Sequence, residues 1–111
     1  MFVVMRTITV KEGTSDLVVE RFSEPGIVEE QPGFVDIQIL VKDVRRGEEE
    51  VVVQIRWESK EAWKNWEKSD AHIQAHRSSR GEAKPDHVLS TSHAAYELKT
   101  VKLPRTAENR A

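Results

Sequence analysis

All three tryptophans and two of the four histidines fall within one stretch, WESKEAWKNWEKSDAHIQAHRSSR, residues 57–80. Trp57, Trp63 and Trp66 can supply flat apolar walls, and His72 and His76 carry imidazole nitrogens that can ligate a metal or move a proton. Together they suit a flat ligand lying beside a ligating nitrogen. Spacing alone leaves other readings open. Trp63 and Trp66, three apart, fit the core stripe of an amphipathic helix equally well, and a helical histidine can simply face water. A zinc-protease arrangement is excluded, because Glu does not follow His72 and no third ligand stands nearby.

Two helical runs must position these groups. Ser59 is placed to cap the first, which carries Trp63 and Trp66, and Glu61 adds negative charge to its opening turn. Ser69 repeats the signal with Asp70 just inside, so the pattern predicts a short helix, a bend and a second helix toward Arg80. His72 and His76, four apart, share one face of that second helix, with Ala75 and Ser79 as small neighbours of His76.

The remaining elements are strands and one more helix. Residues 2–10 alternate, with Phe2, Val4, Ile8 and Val10 on one face. Arg6 falls on that apolar face, where a guanidinium needs a carboxylate, a carbonyl or an anionic ligand. An internal ion pair and a ligand contact are both open to it. Thr14 or Ser15 is placed to cap a helix carrying Leu17, Val18, Val19 and Phe22, with a further helical turn at Ile27 and Val28. A second strand is predicted from Phe34 to about Val44, with Val35, Ile37, Ile39 and Val41 on one face. After a turn at Arg45, Arg46 and Gly47, a third strand opens at Glu50 and runs to Trp57. Residues 78–86 read as a polar surface loop. A last strand runs from His87 to about Thr100, with Val88, Ala94, Tyr96 and Leu98 on one face. The domain is expected to span residues 1–102, with residues 103–111 a frayed, disordered tail.

Composition narrows the function classes. A chain of 111 residues with 17 basic and 19 acidic side chains, interspersed, is one domain without a basic face for nucleic acid. It has no cysteine, which removes disulfides and thiolate ligands. No segment is long and apolar enough for a membrane span. The first residues have no basic group ahead of their apolar run, so a cytoplasmic protein is expected.

The order β-α-β-β-α-β is that of an α+β, ferredoxin-like fold, with one antiparallel sheet and its helices on one side. The third strand has apolar residues on both faces. A second copy of the chain is the expected cover for the face without helices, giving a homodimer.

Three segments carry a family resemblance: KEGTSDLVVERF at 11–22, PGFVDIQIL at 32–40 and WESKEAWKNWEKSDAHIQAHR at 57–77. They resemble the small heme-degrading monooxygenases of the antibiotic-biosynthesis monooxygenase (ABM) superfamily, of the Isd type, and most of all the Bacillus HmoA-like branch. The most specific part is Trp66 followed ten residues later by His76, within W-x-S-K-x-A-x-x-x-W-x-x-S-D. The resemblance implies homodimers whose sheets form a joint dimeric α/β barrel, with heme as both cofactor and substrate. It makes His76 the axial iron ligand and Trp66 the group that presses the porphyrin out of plane. Arg77, Arg80 and Lys84 follow His76 and are open to two readings, reaching the carboxylates of a heme held there or simply facing solvent. Electrons would come from an external reductase, since the chain has no flavin or nicotinamide fingerprint.

One position departs from the family pattern. Arg6 stands where the family carries an asparagine on the side of the heme away from the histidine. There it could assist oxygen chemistry, bind a propionate or fill the space. The competing expectations are a cofactor-free monooxygenase acting on a polycyclic aromatic substrate, and a heme-binding or heme-sensing protein without turnover.

Overall fold

The structure is a computed structural model that describes residues 1–43, 46–79 and 85–105, with the side chains of 75–79 outside that description. Its elements are β1 (Phe2–Val10), α1 (Ser15–Ser23), a 3₁₀ turn (Ile27–Glu30), β2 (Phe34–Val41), β3 (Glu49–Trp57), α2 (Lys60–Lys68), α3 (Asp70–Ser79) and β4 (Val88–Glu97). The four strands form one sheet in the order β2-β3-β1-β4, and every pairing is antiparallel. This is the ferredoxin-like α+β arrangement expected from the alternation of the sequence. Among the described residues no helix is long and apolar enough to cross a membrane.

Register decides what each face carries. Phe2, Val4, Arg6 and Ile8 lie opposite Trp57, Ile55, Val53 and Val51, and partners directly opposite each other project to the same side of a sheet. That side takes the helices. Ile8, Val10, Val51 and Val53 pack there against Val18 of α1 to form the core. The other side carries Met5, Thr7 and Tyr96 beside the Arg56–Asp36 ion pair, in which Arg56 Nε donates to Asp36 Oδ1 at 2.7 Å. Arg56 donates to Asp36 and so holds its carboxyl below the ordinary range.

Two irregularities change the faces expected from simple alternation. Between Phe34 and Asp36 the register of β2 slips by one residue against β3, as a bulge does. Phe34 therefore joins the helix side and meets the Trp57 ring edge-on, with centroids 5.8 Å apart. Val35, expected to share a face with Ile37, is left exposed. A second slip falls between Thr9 and Val10, so that Val10 pairs with Val88. Val88 thereby packs against the core, away from Ala94 and Tyr96 with which alternation had grouped it.

The cap of α1 also differs from expectation. Neither Thr14 nor Ser15 supplies it, since the Thr14 hydroxyl donates to the Lys11 carbonyl at 2.6 Å and no side chain of the cap residue bonds the helix. Instead the Ser15 amide donates to Glu49 Oε1 of β3 at 2.9 Å. That hydrogen bond holds the Glu49 carboxyl below its ordinary value of 4.5. A depressed carboxylate stabilises the fold above its unfolded-state pKa, and the contribution is lost as pH falls through the folded value. Glu49→Gln should therefore shrink the difference in melting temperature between pH 7 and mildly acid pH. An acid-unfolding curve identical to that of the unaltered protein would show that the cap carries no such linkage.

Candidate functional site

The Trp57–Ser79 segment folds as its caps predict. Ser59 Oγ accepts from the Ala62 amide at 3.1 Å and starts α2. Ser69 Oγ accepts from the His72 amide at 3.2 Å and donates to the Trp66 carbonyl at 2.7 Å, so a single hydroxyl ends α2 and begins α3. The bend between the helices brings the imidazole of His72 onto the indole of Trp66, with ring centroids 4.8 Å apart and tilted by 54°.

His72 is itself held. Its Nδ1 lies 3.1 Å from the Glu67 carbonyl oxygen and 3.2 Å from the Glu67 carboxylate. A carbonyl oxygen can only accept, so this contact assigns the proton to Nδ1. Trp66 is thus braced by an imidazole that is anchored in turn to its own helix.

These groups line one cavity of about 400 Å³ between the helices and the sheet, within the usual range for a small-molecule site. Trp63, Trp66, Glu67 and His72 form the helical wall, Phe22 closes one side from α1, and Val4, Arg6, Val53, Ile55, Trp57 and His93 come from the sheet. Trp63 is backed by Phe2, ring to ring at 5.1 Å. Trp57 is buried, 1% exposed, and its Nε1 has no hydrogen-bond partner among the described residues.

Arg6 is the cavity's cation. Its guanidinium lies over the Phe22 ring, 5.8 Å from the centroid, and its Nε is buried without a hydrogen-bond partner. Among the described residues no carboxylate forms an ion pair with it, so the internal salt bridge left open by the sequence is not formed there. Burial, and then the charge of Arg21, lower its pKa. A guanidinium stays protonated under all ordinary conditions, so the shift expresses a desolvated charge with no ion-pair partner among the described residues. Arg6→Met should accordingly raise the stability of the ligand-free protein by about 1–2 kcal/mol, read as a higher Tm, because it removes that charge while keeping most of the packing. A lower Tm would mean that Arg6 is satisfied in solution.

Of the residues singled out from sequence, Trp57, Trp63, Trp66, Arg6 and His72 meet in this cavity. His76 and Arg77 stand on α3, but their side chains lie outside the described residues. One member was missed: His93 comes from β4, directly opposite Arg6, and only the pairing of distant strands reveals it.

Comparison with known proteins places the chain in a family. The family model described as "Antibiotic biosynthesis monooxygenase" (ABM) matches residues 1–78. The chain belongs to the antibiotic biosynthesis monooxygenase family. It is 56% identical over 102 residues, 92% of this chain and 94% of the relative, to the heme-degrading monooxygenase HmoA of Bacillus subtilis. A Bacillus cereus crystal structure assigned to the same family superposes with a TM-score of 0.82 at 53% identity, covering 95% of this ABM chain and 97% of that one. The heme-degrader MhuD of Mycobacterium tuberculosis, solved with two hemes in its active site, superposes with a TM-score of 0.65 at 28% identity, covering 92% and 99%.

Proposed function

We propose that this ABM-family chain is a heme-degrading monooxygenase that binds heme as cofactor and substrate in the cavity described above, opens the porphyrin ring and releases iron. The observation that carries the reading is the convergence on one aromatic-walled cavity of Trp66 and Arg6, which has no ion-pair partner among the described residues. It is supported by 56% identity to a protein named for that activity. The residues fit the ligand chemically: apolar aromatic walls suit a porphyrin, and the Arg6 cation in the lining suits its carboxylates.

Bound and reduced heme iron supplies the oxygen chemistry. The chain supplies the rest. His76 is the proposed axial ligand through a ring nitrogen. Trp66 would bear on a bound porphyrin from the helical wall, and the His72 ring against it would resist its yielding. Arg6 places positive charge on the sheet side of the cavity, and Arg77 is assigned to a heme carboxylate. An external reductase delivers electrons. The working unit is a homodimer in the cytoplasm, with a second copy over the sheet face that carries Leu40, exposed by 47%, and Tyr96, exposed by 52%.

A second reading has one observation in its favour. His72, paired with Glu67 inside an aromatic cavity, could act as general base on a polycyclic phenol without any cofactor. Hemin titration, followed by ascorbate in air with catalase present, separates these readings. One equivalent giving a Soret band that decays under reductant supports heme degradation. A stable band would mean binding without turnover, and no band would favour the cofactor-free reaction. Under the leading reading Arg6→Ala lowers the decay rate more than the hemin affinity, whereas equal losses would make Arg6 a propionate anchor.

A further inference from the structure

His93 is the one imidazole that the sheet places in the cavity among the described residues. It stands opposite Arg6 on the neighbouring strand, which sets their Cβ atoms about 5 Å apart on the same face. On the sheet side of the cavity the neighbours of this pair are Val4, Val53, Ile55 and Trp57. Two donors of different reach therefore stand side by side in a mostly apolar lining. Arg6 is fixed against Phe22, and its Nε is without a partner. His93 stands on edge strand β4, exposed, where solvent reaches the cavity.

We propose that His93 and Arg6 form a donor pair that receives a small anion on the sheet side of the bound heme, across from the α3 histidine. This rests on the heme reading above. If α3 were to hold the iron, an occupant on the opposite side would meet the sheet wall, whose charged or titratable side chains among the described residues are these two, beside the indole of Trp57. Backbone pairing on adjacent strands sets both donors beside the place an occupant would take, which limits the rearrangement needed to stabilise its negative charge. His93 is in this sense a positioning residue: it orients a ligand held by the iron and is not itself the iron's ligand.

The test uses the ferric hemin complex of the full chain and titrates fluoride and azide, which take the open axial position and carry negative charge. In His93→Leu the fluoride dissociation constant should rise about tenfold or more, the loss expected for one hydrogen bond to a charged acceptor. Hemin stoichiometry and affinity should stay within about twofold of the unaltered protein, well below that tenfold effect. His93→Gln, which keeps a donor, should recover most of the fluoride affinity. Unchanged fluoride and azide constants in His93→Leu would overturn the proposal, and so would a parallel fall in hemin affinity, which would make His93 a holding residue. Failure of the unaltered protein to take up hemin would overturn the heme reading and this pair together, an outcome distinct from a normal complex with unchanged anion affinity.

Discussion

His76→Ala is expected to abolish the saturable Soret band that hemin gives with the unaltered protein, whereas His72→Ala keeps it. Both histidines sit on α3, four residues apart, so composition and helix face do not separate them. The contacts of His72 give it a role of its own. His72 Nδ1 is engaged by the Glu67 carbonyl and carboxylate, and its ring lies against Trp66, so its role is to brace the indole. Removing it costs a ring contact of about 0.5–1.5 kcal/mol and loosens Trp66, which should slow ring opening while leaving coordination in place. His76 is the proposed axial ligand because the family resemblance implies that role at its position. Spectra of the two variants under identical hemin concentrations decide the matter: a Soret band lost in His72→Ala and kept in His76→Ala would exchange the two roles.

Gly33→Ala should be the most damaging alanine substitution among the described glycines. Gly33 has φ +83°, and a Cβ there would lie 2.4 Å from the Ala62 Cβ of α2. Its carbonyl accepts from the Glu58 amide at 2.8 Å, which fixes the entry to α2 against the start of β2. A left-handed backbone costs a residue with a Cβ about 1–3 kcal/mol, and the overlap adds a packing strain of about the same size. Together these should lower the Tm by roughly 10 °C or more. Because α2 carries Trp63 and Trp66, any accommodation moves the cavity wall, so hemin affinity falls as well. Adding Ala62→Gly relieves the overlap but leaves the backbone strain, and should restore only part of the loss. A Tm within about 2 °C of the unaltered protein, a small fraction of that shift, would show that the turn relaxes freely.

What the sequence made legible is what short-range chemistry encodes. Ser59 and Ser69 announced two helices and the bend between them, and the parity of β1 placed Arg6 on the helix side among Val4 and Ile8. Residues that meet only through distant pairing were not legible. Glu49 caps α1 across 34 residues, and nothing near Thr14 signals it. His93 enters the cavity only through the register of β4 against β1. The slips at Phe34/Asp36 and Thr9/Val10 moved Phe34 and Val88 to faces that simple alternation denied them. An extra residue in one strand leaves no mark in the pattern of that strand alone. Arg6 lies between these cases: its anomaly was visible in the sequence, but the absence of a paired carboxylate among the described residues needed the fold.

Mass spectrometry of the products, after one equivalent of hemin reacts with ascorbate under ¹⁸O₂ with catalase and an iron chelator present, bears most directly on the central claim. The account predicts a ring-opened tetrapyrrole carrying label from dioxygen, with the iron of each opened ring captured by the chelator. Recovery of intact protoporphyrin with its iron still bound would contradict it.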